Sequence, residues 1–168
     1  MAEPSRTIAV LVANPALSSI LSMVLASVPS FRVRPFESEV ALVTYMRLAP
    51  VDIVVTDFDS ANARADRVTR DLRADDAIPH SAFQVIALAS QVSPETKVLC
   101  IAAGIDEVIV KPMSPKYLLE RLQSRLARQS ARDPKRSLRR APSLSRPDFS
   151  QYGNVIPLWT PERPLPQH

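Results

Sequence analysis

The chain has 168 residues, 46% apolar and 23% charged, which suits one globular domain followed by a tail. Two glycines, Gly104 and Gly153, are too few for a phosphate-binding loop or a dinucleotide fingerprint, and one cysteine with two distant histidines, His80 and His168, makes neither a disulfide nor a zinc cluster. The formal charge of +4 is uneven: residues 1–127 carry 13 basic and 14 acidic side chains, net −1, and residues 128–168 carry 8 and 3, net +5.

Met1–Thr7 is short and polar and leads directly into a strand, without the basic and then apolar pattern of a leader. No apolar run approaches the ~20 residues that a membrane helix needs. The expected location is the cytoplasm. Thr7–Val12 reads as a buried first strand. Asn14–Pro15 starts a helix, because Asn caps free backbone N–H groups and Pro fits the first helical position. Leu17, Ile20, Leu21, Val24 and Leu25 continue it at helical spacing, and Pro29–Ser30 ends it. Phe31–Phe36 alternates apolar and basic residues, as a strand with one exposed face does. Ser38–Leu48 reads as the second helix and Asp52–Thr56 as the third strand.

Ala63–Arg73 is highly charged and weakly apolar, so an exposed third helix is expected. Asp75–Phe83, with His80, is loop, and Gln84–Leu88 is the fourth strand. Ser93–Pro94 repeats the cap-plus-proline start, Glu95 favours the first turn, and Gly104 suits the stop. Cys100 falls in this apolar helix, where an inert buried thiol is expected. Glu107–Val110 is the fifth strand. Ser114–Pro115 starts a last helix with Leu118, Leu119, Leu122 and Leu126 on one face. Strands alternating with helices predict an α/β fold, a doubly wound five-stranded parallel sheet, with a disordered C-terminal tail. Ligand sites in such sheets lie beyond the carboxyl ends of the strands, where Asn14, Asp57, Ala89 and Lys111 all fall.

Asp57 closes the apolar run Ile53–Thr56, and Lys111–Pro112 closes Val108–Val110. Together with Ala103–Lys116 (AGIDEVIVKPMSPK), these segments resemble the receiver domain of bacterial response regulators, over Thr7 to about Ala127. The resemblance implies that Asp57 is the phosphoacceptor, that Lys111 is its cationic partner across a Lys–Pro bond that is often cis, and that Asp59 offers a backbone carbonyl to magnesium. The chain also departs from the family. The metal-binding acidic pair is replaced by Val12–Ala13, or by Ala13–Asn14 with a shift of one. The switch Ser/Thr is Ala89, with Ser90 adjacent, and the switch aromatic is Val108. The usual Pro and Gly after the phosphoacceptor are replaced in Ser60–Asp66.

Phosphoryl transfer to a carboxylate gathers negative charge that magnesium normally offsets. Asp57, helped by Asp59, leaves at best a weak magnesium site, so no metal or other cofactor is expected. Two readings of Asp57 and Lys111 remain open: a salt bridge at the rim of the sheet, and slow phosphorylation with weak magnesium. Lys97, Asp106, Glu120 and Arg121 fall on the side between the fourth and fifth helices, where many receivers form homodimers through ion pairs; a solvated charged face is the alternative.

The expected division is 1–127 receiver-like domain, 128–148 basic Pro/Ser/Arg-rich linker and 149–168 Pro-rich tail with an apolar motif. Arg128–Pro147 should be disordered. Arg139–Arg140 and their neighbours suit either a solvated linker or nucleic-acid binding through phosphates, and no helix-turn-helix follows. Phe149, Tyr152, Ile156 and Trp159 form a motif with three open readings: it docks a partner as an extended strand or in a groove, it folds back on its own receiver, or it stays disordered. The expected function is a divergent single-domain receiver in two-component or phosphorelay signalling. It would be a phosphorylation-independent protein-binding module for a histidine kinase, phosphotransferase or other signalling protein. Without a nucleophile beside an activating base, and without a cofactor loop, an enzyme is not expected.

Overall fold

The strands Arg6–Leu11, Ile53–Asp57, Gln84–Ala89 and Glu107–Val110 each alternate two apolar sets, and this alternation decides which helices cover which face of the sheet. The computed structural model describes residues 5–79, 82–132 and 155–157. His80, His168, Arg139, Arg140, Phe149, Tyr152 and Trp159 lie outside the described residues. In chain order the elements are β1 (Arg6–Leu11), α1 (Pro15–Ala26), β2 (Phe31–Pro35), α2 (Glu39–Leu48), β3 (Ile53–Asp57), α3 (Ala65–Ala74), β4 (Gln84–Ala89), α4 (Pro94–Ala103), β5 (Glu107–Val110), α5 (Pro115–Arg132) and β6 (Val155–Pro157). The sheet order is β2-β1-β3-β4-β5-β6. The first five strands are mutually parallel, and β6 is antiparallel to β5.

Ala9, Leu11, Val54, Val85, Ala87 and Val108 point to one face, where they pack with Leu42 and Met46 of α2, Val68 and Leu72 of α3, and Cys100 of α4. Ile8, Val10, Ile53, Val55, Ile86, Leu88 and Ile109 point to the other, against Leu21 and Leu25 of α1 and Leu118, Leu122 and Leu126 of α5. Each fully buried Leu or Ile of this kind contributes about 1.5–3 kcal/mol of transfer free energy. The expected caps form as read. Asn14 Oδ1 accepts from Ala16 and Leu17 N–H, Ser93 Oγ accepts from Thr96 N–H, and Gly104 closes α4 with φ +83°. A Cβ at Gly104 would also lie 3.2 Å from Arg73 Nε. Cys100 is fully buried, and burial together with the Asp66 charge pushes its thiol up to about 11, which suits the inert reading.

Three expectations need correction. The third helix is not an exposed one. Ala65, Asp66, Val68, Thr69 and Leu72 are buried. Apart from Leu72, its inward stripe at i, i+3, i+4 and i+7 uses small and β-branched side chains, so it carries little apolar weight in the sequence. Thr69 fits there because its hydroxyl donates to Ala65 O at 2.6 Å. The last helix continues past 127, the expected end of the domain, and runs to Arg132, into the stretch expected to be disordered. Gln129 Nε2 donates to Ala82 O at 2.8 Å, and Arg6 donates to Ser130 Oγ at 2.8 Å, which holds the extra turn. Finally, Ile20 turns outward and is 48% exposed.

Charged groups fasten the helices to the sheet. Glu107 is fully buried, and its two carboxylate oxygens accept from Arg121 Nε and Arg125 Nε at 2.5 Å each. Arg73 lies over the Phe83 ring at 4.4 Å and donates to Phe83 O, Gly104 O and Asp106 Oδ2. Asp106 Oδ2 also accepts from Val85 N–H at 2.7 Å. Asp106 and Arg121, on the side read either as a homodimer face or as a solvated charged face, are thus engaged within the domain. Removing Glu107 would leave two guanidinium groups without their shared carboxylate. Glu107→Ala is therefore expected to destabilise the protein by about 3 kcal/mol, read as a lower urea midpoint at unchanged slope.

Candidate functional site

The sheet register alone assembles the site. Asp57 pairs with Leu88 and Ala89 pairs with Val110. Two residues beyond the first pair, Asp59 comes level with Ser90; one residue beyond the second, Ser90 comes level with Lys111. Three side chains from three adjacent strand ends therefore form one row. On the other side, Leu11 pairs with Thr56, which brings Val12 level with Asp57. Backbone bonds fix the rim: Phe58 N donates to Leu88 O at 2.7 Å and Lys111 N to Ala89 O at 2.8 Å. The Lys111–Pro112 peptide bond is cis.

Lys111 Nζ occupies the centre. It lies 3.2 Å from Asp57 Oδ1, 3.1 Å from Asp57 Oδ2 and 2.9 Å from Asp59 Oδ2. Asp57 Oδ1 also accepts from Asp59 N–H at 2.9 Å. Asp59 Oδ2 accepts from Ser90 N–H at 2.8 Å and from Ser90 Oγ at 2.6 Å. The Asp57 side chain is 7% exposed, Lys111 20% and Asp59 37%. Burial pushes the Asp59 carboxyl up, but hydrogen bonds from Ser90 and Lys111 outweigh it and hold the group below its ordinary value. Burial also opposes the Lys111 charge, and the hydrogen bonds and charges of Asp59 and Asp57 outweigh it, raising the lysine.

The other expected positions are occupied differently. Val12 is buried in the apolar cluster of the α1/α5 face, and Ala13 is exposed. Asn14 spends its carbonyl oxygen on the α1 cap. Ala89 and Val108 are fully buried in the other apolar cluster, so neither offers a polar group or a mobile ring. Of the proposed tail motif, Ile156 falls in β6 and the remainder lies outside the described residues. Asp59, read as a source of a backbone carbonyl, brings its carboxylate to Lys111, and Ser90 holds that carboxylate. Both contacts follow from register, which single residues do not display. Asp66 was also missed as a site-side group. It is 1% exposed at the start of α3, where its two oxygens accept from Arg64 Nε at 2.6 Å and Nη2 at 2.9 Å, and Arg64 in turn lies over Phe58 at 5.5 Å. The pair fixes the Ser60–Asp66 segment beside Asp57.

Magnesium requires a near-octahedral set of oxygens with several anionic ligands or waters. The residues present do not fit it. Val12 supplies apolar surface where a carboxylate is needed, Asn14 is committed to a helix cap, and both Asp57 and Asp59 already face one ammonium. Among the described residues there is no group of three or more His, Cys, Asp or Glu that could hold a metal. No helix among them is long and apolar enough to cross a membrane.

No protein-family profile matches the chain. It is similar to the DNA-binding response regulator MtrA of Mycolicibacterium smegmatis, 29% identical over 115 residues, covering 68% of this chain and 48% of that protein. The chain thus spans about half the length of this relative. Among solved structures, a response regulator from Thermotoga maritima matches at TM-score 0.62 and 22% identity, over 73% of this chain and 98% of that one. A CheY-like receiver domain protein from Methanospirillum hungatei matches at TM-score 0.67 and 16% identity, over 76% and 98%.

Two outcomes test the electrostatics. Lys111→Met leaves two carboxylates facing each other and should cost about 2 kcal/mol. Asp57→Asn should then recover part of that loss, a coupling that a double-mutant cycle on chemical unfolding measures. Because the folded-state pKa of Asp59 is lowered, its stabilisation is full above the ordinary carboxylate value and is lost as pH falls through the folded value. Lys111, being raised, stabilises fully below its ordinary value and loses this only as pH rises above about 10. Ser90→Ala should therefore reduce stability at neutral pH, and its difference from wild type should begin to shrink as pH falls below about 4 and vanish once pH is below the lowered Asp59 value.

Proposed function

For a chain that carries the response-regulator receiver fold, we propose a role as a protein-binding module of two-component or phosphorelay signalling, acting without phosphorylation of Asp57. Its partners are of the class of histidine kinases, phosphotransferases or other signalling proteins. It takes no metal and turns over no substrate. One observation carries this reading: Val12, level with Asp57, is buried in the core where the resemblance puts an acidic pair, and Asp57 and Asp59 both face Lys111.

The physical case rests on charge. Two carboxylates and one ammonium leave the rim with a formal net charge of −1. A phosphoryl group would add further negative charge, about −1.5 to −2 at neutral pH for a phosphoryl ester. Lys111 alone would have to offset it while giving up Asp59. Ala89 has no hydroxyl to bond the new oxygens. Val108 is packed in the core and has no ring to move, so arrival of a phosphoryl group would not be relayed along β5. The surface offered to partners is then the same in every state of the site. A partner selected for the resting form would bind constitutively.

Titration calorimetry with magnesium, followed by acetyl phosphate and intact-mass measurement, tests this reading, with Asp57→Asn as control. The expected outcome is no magnesium heat at millimolar concentrations and no added phosphoryl mass. Magnesium binding followed by phosphorylation that Asp57→Asn abolishes would replace this reading with a phosphorylatable receiver.

A further inference from the structure

The two edges of the five-stranded parallel sheet are protected in different ways. The outer edge at β2 carries exposed Arg32 and Arg34 and ends on exposed Pro35. Charge and proline are common means of stopping another strand from adding to an edge. The β5 edge, Glu107–Val110, has neither. Its one charged side chain, Glu107, is fully buried and bound by Arg121 and Arg125. Val108 and Ile109 are fully buried in the clusters of the two opposite faces. What β5 offers outward is thus its backbone, a row of N–H and C=O groups suited to an extended segment.

The chain itself supplies that segment. Val155–Pro157 lies antiparallel along β5, with Ile109 opposite Val155, Val108 opposite Ile156 and Glu107 opposite Pro157. The added strand is three residues long and ends in proline, which has no N–H to donate, so it is a poor template for a further strand. Residues 133–154 separate it from the end of α5. A connection of that many residues is long enough to return to the sheet of the same molecule.

We propose that the outer edge of β5 is a docking site for an extended apolar segment, that Val155–Pro157 is its resident occupant in cis, and that an external extended segment binds there only after this strand leaves. The inference is independent of whether Asp57 is phosphorylated. It bears on the site nonetheless, because Val110 is followed directly by Lys111. The strand that receives the docked segment also positions the ammonium between Asp57 and Asp59.

The test uses the full chain and the variant Ile156→Pro, which removes a backbone donor and opposes strand geometry at the middle of β6. Both core clusters are built from residues between Ile8 and Leu126, so the variant should keep its fold, checked by circular dichroism. Amide hydrogen exchange is followed at residues 107–110 and 53–57. The variant is expected to exchange about tenfold faster or more at outward-facing β5 amides, with 53–57 unchanged. A synthetic peptide of residues 151–160 should bind the variant and not the wild type. Equal β5 exchange in the two proteins, or equal peptide binding, would overturn the proposal. β5 protection that rises with protein concentration, together with a dimer mass by light scattering, would overturn occupancy in cis and assign the strand to a second copy.

Discussion

A single ammonium group placed between two carboxylates is the constraint around which this site is organised. Lys111 reaches both Asp57 and Asp59, and Ser90 holds Asp59 in place from the neighbouring strand end. Burial opposes the charges of Lys111 and Asp59, and the hydrogen bonds and charges that they share with each other, and with Ser90 and Asp57, outweigh it. The three adjacent strands β3, β4 and β5 must therefore keep their register for the site to stay paired. A slip in any one would strand a carboxylate or the lysine.

The rest of the molecule serves that register. The two apolar clusters clamp the sheet from both faces, and the alternation of β1, β3, β4 and β5 leaves little freedom to shift. Buried charge then ties particular helices to particular strands. Glu107 binds α5 to the start of β5, and Arg73 binds α3 to the ends of α4 and β4. Arg64 and Asp66 brace the segment after β3. Such pairs contribute little net stability compared with apolar packing, yet breaking one leaves a buried charge unpaired. They specify alignment more than they hold the fold together. At the level of Asp57, Val12 adds to the core, while Asp57 and Asp59 pair with Lys111.

Much of the fold was legible in the sequence because its signals are local. Asn14–Pro15, Ser93–Pro94 and Ser114–Pro115 mark helix starts through capping and proline geometry. Gly104 marks a helix end through its positive φ. The short Val/Ile runs mark buried strands. The third helix was misjudged because its inward stripe contains Ala65, Asp66 and Thr69, residues whose burial depends on what they meet. The extent of α5 was misjudged for a similar reason: Gln129 and Ser130 are polar, and they are held by groups distant in the chain.

The candidate site divides in the same way. Asp57 and Lys111 could be read from the sequence, because each ends an apolar strand run and the topology sends both to one rim. The absence of a carboxylate at Val12–Ala13 was equally plain. That Asp59 would share the lysine, that Ser90 would hold Asp59, and that Asp106 and Arg121 would turn inward could not be read, because register and helix packing decide them. Nor could the sequence choose between a tail that leaves the domain and one that returns to it. Val155–Pro157 lies along β5 because that edge offers unpaired backbone between two covered faces, and an edge exists only once the whole sheet has formed. The sequence by itself determined the elements and the chemistry at their ends. The tertiary structure decided which of those ends meet, because meeting depends on the alignment of strands far apart in the chain.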